Sequence, residues 1–168
     1  MGLAADQPVA HGVRLLPMAD GHLDAVHAIE RVSQPHPWSR GMFSDCLKAG
    51  YSGWVLEDAE QEILAFTLSS LAMDEAHLLN LAVAPHARRH GLGSRLLEHV
   101  LRQARHAEAR CMLLEVRASN RSAIHLYSER GFAVLARRPR YYPAHAGTRE
   151  DALVMSFDFT AVREAGAG

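Results

Sequence analysis

The stretch Leu78-Leu79-Asn80-Leu81-Ala82-Val83-Ala84-Pro85-His86-Ala87-Arg88-Arg89-His90-Gly91-Leu92-Gly93 decides how this chain reads. Its apolar first half has the composition of a strand, and Pro85, which has no N–H to donate, ends it. A basic turn follows. From Gly91 to Ala107 the period changes, with Leu92, Leu96, Leu97, Val100, Leu101 and Ala104 falling on one helical face. His99, Arg102, Gln103 and His106 fall elsewhere and are expected in water. A helix start leaves backbone N–H groups unpaired and carries partial positive charge. Gly91 and Gly93 would let an anion approach that backbone with no Cβ in the way, and Arg88 and Arg89 add fixed charge. By itself, Arg88-x-x-Gly91-x-Gly93 reads either as an anion cradle or as a solvated glycine turn. It is not a P-loop, because no Gly-Lys-Ser/Thr end follows. It is not a dinucleotide fingerprint either, because Leu96 stands where a third glycine belongs.

Working outward, Val13–Leu16 predicts a short strand. Asp20 is expected to cap a helix carrying Leu23, Val26, Ala28 and Ile29. His36-Pro37-Trp38-Ser39 breaks it, and Ser39 caps a second helix with Met42, Phe43 and Leu47 that closes near Gly50. Trp54–Leu56, Ile63–Leu71 and His77–Val83, separated by short polar turns, predict an antiparallel meander. Met112–Val116 predicts a strand, Asn120 caps a short helix ended by Gly131, and 133–142 and 150–159 predict two closing strands. The run from Leu78 to Val116 predicts a right-handed parallel crossover. The class expected is α+β: a mixed, mostly antiparallel sheet of about seven strands with about four helices. One domain is expected over 13–159, with loose termini at 1–12 and 160–168.

Composition narrows the function. The chain has 168 residues, 48% hydrophobic and 22% charged, with a net charge of −1. That is globular composition without a bulk drive toward nucleic acid. Cys46 and Cys111 form no Cys-x-x-Cys pair, and Cys111 reads as a small buried hydrophobe. His86 and His90 are four apart, but Arg88 and Arg89 between them oppose a dication, so no metal is expected. No apolar run approaches a membrane span, and the N-terminus lacks a secretory pattern, so a reducing cytoplasm is the expected location.

Several residues read two ways. Glu115, near the end of an apolar strand, would be desolvated there, which raises a carboxylate toward the range of a useful base. It reads equally as the ion-pair partner of Arg117 on the same strand face. Tyr127 on the short helix has the type of a core tyrosine. Trp38 has the type of a core residue. Strand alternation predicts that Tyr141 and Tyr142 point to opposite faces, so that at most one of them faces a ligand. Arg149-Glu150-Asp151 is either surface charge or the order of the adjacent loop.

Taken together, the basic turn with Asn80-Leu81-Ala82-Val83, Leu114-Glu115-Val116-Arg117-Ala118-Ser119-Asn120, Leu126-Tyr127, Gly131-Phe132, Tyr141-Tyr142-Pro143, Glu150-Asp151-Ala152 and His36-Pro37-Trp38-Ser39 resembles the GNAT (Gcn5-related) acetyltransferases. Within that family it is similar to the RimI group, the bacterial ribosomal-protein N-terminal alanine acetyltransferases, over roughly 13–159. The resemblance implies the acyl-CoA N-acyltransferase fold and acetyl-CoA as co-substrate. It implies an acceptor that is a protein N-terminal α-amine, most specifically the N-terminal alanine of a small-subunit ribosomal protein. It gives Glu115 the role of base and Tyr127 that of acid to the departing thiolate. It places Arg88, Arg89, His90, Gly91, Leu92, Gly93 and Ser94 at the pyrophosphate, Leu81, Ala82 and Val83 at the pantetheine arm, and Asn120 at the cofactor. It makes Trp38 one wall of the peptide site and the Tyr141–Tyr142 segment the other. Two alternatives stay open: a family member acting on lysine or a small amine, and a silent acyl-CoA-binding module.

Overall fold

The computed structural model describes residues 12–161. The expected loose termini lie outside the described residues, save for Gly12, Thr160 and Ala161. In chain order the elements are β1 (Arg14–Pro17), a 3-10 turn (Asp20–His22), α1 (Leu23–Ser33), α2 (Arg40–Lys48), β2 (Ser52–Glu57), β3 (Ile63–Ala72) and β4 (Glu75–Val83). There follow a 3-10 turn (Pro85–Ala87), α3 (Leu92–His106), β5 (Cys111–Arg117), α4 (Arg121–Glu129), β6 (Ala133–Pro143), a 3-10 turn (His145–Gly147) and β7 (Arg149–Asp158). The strands form one seven-stranded sheet in the order β1-β2-β3-β4-β5-β7-β6. β4 and β5 run parallel, as the crossover predicts, and β1–β2, β2–β3, β5–β7 and β6–β7 are antiparallel. This is the mixed, mostly antiparallel sheet that the sequence predicts.

The chain divides into two compact units. Among the described residues, one comprises 12–69 with Asn80–His99, and the other comprises Ser70–Leu79 with 100–161. In the first unit Leu23, Val26, Phe43, Val55, Leu56, Phe66 and Leu68 are fully buried. At about 25 cal/mol per Å² of apolar surface, each contributes roughly 1.5–3 kcal/mol of transfer free energy. In the second unit an aromatic run, Tyr127–Phe132–Phe157–Phe159, packs ring to ring with centroids 4.8–5.8 Å apart.

The helices start and stop where the sequence places them, with one exception. Ser39 Oγ accepts the Met42 N–H at 3.2 Å, and Asn120 Oδ1 accepts that of Ala123 at 3.2 Å. Asp20, expected to cap the first helix, caps nothing. It opens a 3-10 turn whose cap residue is Ala19, and the Ala19 N–H donates to His22 Nδ1 at 3.0 Å. The expected apolar face of α3 is buried at all six positions. His99 and Gln103, expected in water, are half-buried, and the His99 ring lies edge-on to Trp54 at 4.3 Å. Cys111, expected buried, is also half-exposed.

Candidate functional site

The basic turn lies in the first unit. Its backbone takes the left-handed region twice in three residues, at Arg89 (φ 65°) and Gly91 (φ 76°). Turns with left-handed residues leave backbone N–H groups that an anion can approach. A Cβ built on Gly91 would meet no atom within 4 Å, so space is open there. Arg88 and Arg89 are exposed, His90 is half-buried, and Leu92 is buried as the first residue of α3, with Gly93 and Ser94 behind it. Arg88 also reaches back along the chain, and its Nε–H donates to the Val83 carbonyl at 3.2 Å. That carbonyl is therefore engaged by the protein's own side chain.

The strand end before the turn is anchored from below. Leu81 and Val83 are half-buried and Ala82 is buried. Asn80, just before them, is held twice: its Nδ2 donates to Glu30 Oε2 at 2.9 Å, and its carbonyl accepts the hydroxyl of buried Thr67 at 3.0 Å. Glu30 is only 1% exposed, and its Oε1 accepts the Trp38 N–H at 3.2 Å. Burial pushes its carboxyl up, while the Asn80 and Trp38 hydrogen bonds work the other way. Trp38 is half-buried, packed against the core with its ring 5.3 Å from Phe43. Glu30 was not among the residues singled out from sequence. The signal was there: a charged residue beside Ile29 and four after Val26, on the apolar face of its helix.

The titratable groups gather in the second unit. β4 pairs with β5 only from Glu75–Leu78 against Cys111–Leu114. Glu115, the next residue, takes Val154 of β7 as its partner. Glu115 is exposed, which corrects the expected desolvation. Its ion-pair partner is not Arg117 but Arg138 of β6, Nη2 to Oε1 at 3.2 Å. Arg117 is spoken for elsewhere, with Nη1 donating to the Pro143 carbonyl at 2.7 Å and to Glu150 Oε1 at 3.1 Å. The Arg117 guanidinium also lies over the Tyr142 ring at 4.6 Å. Tyr142 is pushed up to about 12, first by burial and then by the Glu115 charge. Tyr127 is 8% exposed and likewise raised to about 12, by burial and then by Tyr142. Its phenol keeps its proton across the neutral range.

Tyr141 and Tyr142 do not point to opposite faces. Their rings meet edge to face with centroids 5.1 Å apart. The reason is a bulge: Arg138 pairs with Ala152 and Tyr142 with Glu150, so three residues of β6 face one of β7. Arg140 within it is left-handed (φ 52°). Asp151 holds the bulge, with Oδ1 accepting the Arg140 N–H at 3.0 Å and Oδ2 accepting Arg137 Nε–H at 2.7 Å. Those two bonds hold the Asp151 carboxyl below the ordinary range. Glu150 accepts from the Ser119 N–H and from Arg117, and its carboxyl is lowered first by the Ser119 side chain, then by Arg117 and then by the Ser119 N–H. The Arg149-Glu150-Asp151 stretch therefore orders the loop. Asn120 is exposed, with Oδ1 serving as helix cap. Among the described residues no three His, Cys, Asp or Glu gather as a metal site, and no helix is long and apolar enough to cross a membrane.

A basic turn before a helix lies in one unit, and an exposed carboxylate just past the end of a parallel pairing and a buried tyrosine on the next helix lie in the other. The chain belongs to the acetyltransferase (GNAT) family, whose model matches residues 23–132. It is 38% identical to the ribosomal protein bS18-alanine N-acetyltransferase of Escherichia coli (strain K12), over 80% of this chain and 89% of that protein. The crystal structure of the ribosomal-protein-S18-alanine N-acetyltransferase from Escherichia coli superposes with a TM-score of 0.80 at 35% identity, covering 87% of this chain and 93% of that one. Arabidopsis thaliana NAA60, crystallised in complex with acetyl-CoA, shares the fold with a TM-score of 0.78 at 19% identity, over 88% of this chain and 99% of that one.

Proposed function

We propose that this protein transfers the acetyl group of acetyl-CoA to a protein N-terminal α-amine, that of the N-terminal alanine of ribosomal protein bS18, in the cytoplasm. The observation that carries the reading is the grouping of Glu115, Arg138, Tyr142 and Tyr127. It offers an exposed carboxylate beside Tyr142 and, next to Tyr142, the buried Tyr127 phenol, which keeps its proton at neutral pH. The relatives' names support the acceptor, and the alternating backbone at Arg89 and Gly91 with its flanking arginines fits a pyrophosphate.

Acetyl-CoA supplies the thioester carbon that the amine attacks. Glu115 accepts the proton of the α-ammonium, whose unperturbed pKa of about 7.7–8.0 makes it far easier to deprotonate than lysine at about 10.4. Backbone at Leu81–Val83 orients the pantetheine arm, and an N–H near Val83 donates toward negative charge developing on the acetyl oxygen. Tyr127 gives its proton to the departing sulfur. Arg88 to Ser94 hold the pyrophosphate and Asn120 contacts the cofactor while capping α4. Trp38, Tyr141 and Tyr142 line the peptide. The test is incubation with acetyl-CoA and hexapeptides of varied first residue, beside lysine peptides and polyamines. Transfer to Ala-initiated peptides is expected; transfer to polyamine alone would overturn the reading.

A further inference from the structure

Glu30 is the most deeply buried carboxylate among the described residues, and no step above uses it. Both its oxygens are occupied, Oε1 by the Trp38 N–H and Oε2 by Asn80 Nδ2. An apolar side chain would fill this place on α1 without the desolvation that a carboxylate suffers. What the carboxylate adds is direction. It joins three segments of one unit: helix α1, the loop that carries Trp38, and the β4 residue from which Leu81–Val83 extend. Asn80 is fixed on its other side by Thr67, so the strand end cannot turn without breaking a buried bond.

We propose that Glu30 is a positioning residue that sets the Trp38 loop and the Leu81–Val83 backbone from one side chain, so that peptide wall and thioester strand are held by the same carboxylate. The proposal rests on the acetyl-transfer reading of those two segments. Glu30 touches neither substrate and moves no proton.

The test combines calorimetric titration of acetyl-CoA with steady-state kinetics on an Ala-initiated peptide, each beside a melting curve. Glu30→Ala is expected to raise the Kd for acetyl-CoA and the KM for peptide, each by about tenfold, as losing bonds to a charged group implies, with kcat changed by less than about threefold. Glu30→Gln is expected to recover both, because the Asn80 amide can turn over and present its oxygen to the new NH2. Asn80→Ala cuts only the β4 arm and should weaken acetyl-CoA while sparing peptide KM. A Glu30→Ala protein with a lower melting temperature but unchanged Kd and KM would overturn the proposal. So would a Glu30→Gln protein as impaired as Glu30→Ala. Should Glu30→Ala not fold, an unchanged acetyl-CoA Kd in Asn80→Ala overturns it as well. A wild-type protein that neither binds acetyl-CoA nor transfers acetyl would defeat the underlying reading instead.

Discussion

Arg138 stands 3.2 Å from Glu115 although strand β7 runs between their strands. Glu115 pairs with Val154, and Arg138 pairs with Ala152, whose small side chain lets longer ones pass over it. The proposed base thus rests against a cation of the protein itself, and an incoming α-ammonium competes with that cation. The Arg138 side chain is 52% exposed and that of Glu115 32%, so solvent screens the pair and it is worth only about 0.2–1 kcal/mol. Arg138→Gln should therefore lower peptide KM by about two- to threefold and leave kcat nearly unchanged. Initial-rate kinetics decide this: a clear rise in KM would mean that Arg138 holds the acceptor rather than competing with it.

Glu115→Gln keeps the shape of the side chain and removes its basicity. Its kcat/KM should fall by about 10²–10³-fold, the ordinary worth of a positioned general base. Acetyl-CoA affinity should stay at the wild-type value, since Glu115 has no assigned contact with the cofactor. Full activity in this variant would remove Glu115 from the mechanism.

Tyr127 links chemistry to alkaline stability. Its folded value of about 12 lies above the ordinary 10, so the folded state holds the proton more tightly than the unfolded chain does. The resulting stability is complete below pH 10 and is lost as pH rises from there toward 12, a change of about 2–3 kcal/mol. Tyr127→Phe lacks this component. Wild type should lose melting temperature relative to Tyr127→Phe across that window, while kcat of the variant at neutral pH falls by about 10²-fold. Parallel melting of the two proteins would show that the buried phenol is not the source.

Asp151 holds the segment proposed as the acceptor wall. Without its two bonds the left-handed Arg140 loses its anchor, and the Tyr141–Tyr142 pair loosens. Asp151→Ala should raise peptide KM by about three- to tenfold, with acetyl-CoA Kd unmoved, as expected for the loss of two solvent-screened charge-assisted hydrogen bonds. Equal losses for both substrates would point to general destabilisation instead.

What could be read from sequence followed from local rules. The face of α3 was legible because a period of 3.6 persists through Ala104, and the caps at Ser39 and Asn120 because capping acts within three residues. The features that escaped depend on distant partners. Glu30 and Asn80 are fifty positions apart, so nothing near Glu30 says what satisfies it. Glu115 was offered Arg117 by strand alternation, and a residue on β6 took the place because Arg117 has Glu150 and Pro143. Alternation failed at Tyr141 and Tyr142 because Asp151 stabilises a backbone turn that no local pattern announces. Asp20 caps nothing because a 3-10 turn that begins at Asp20 precedes the helix, and His22 closes that turn on the Ala19 N–H.

Strand β6 is the outermost of the sheet and carries two irregularities, one between Val134 and Ala136 and one between Arg138 and Tyr142. Among the described residues no strand pairs with its far edge. Residues can be added to or deleted from the Pro139–Tyr141 segment while Arg138 and Tyr142 keep their partners on β7. The proposed peptide wall is thereby free to change by length as well as by substitution. A new acceptor preference can arise through insertion at this margin while Glu115, two strands inward, keeps its register.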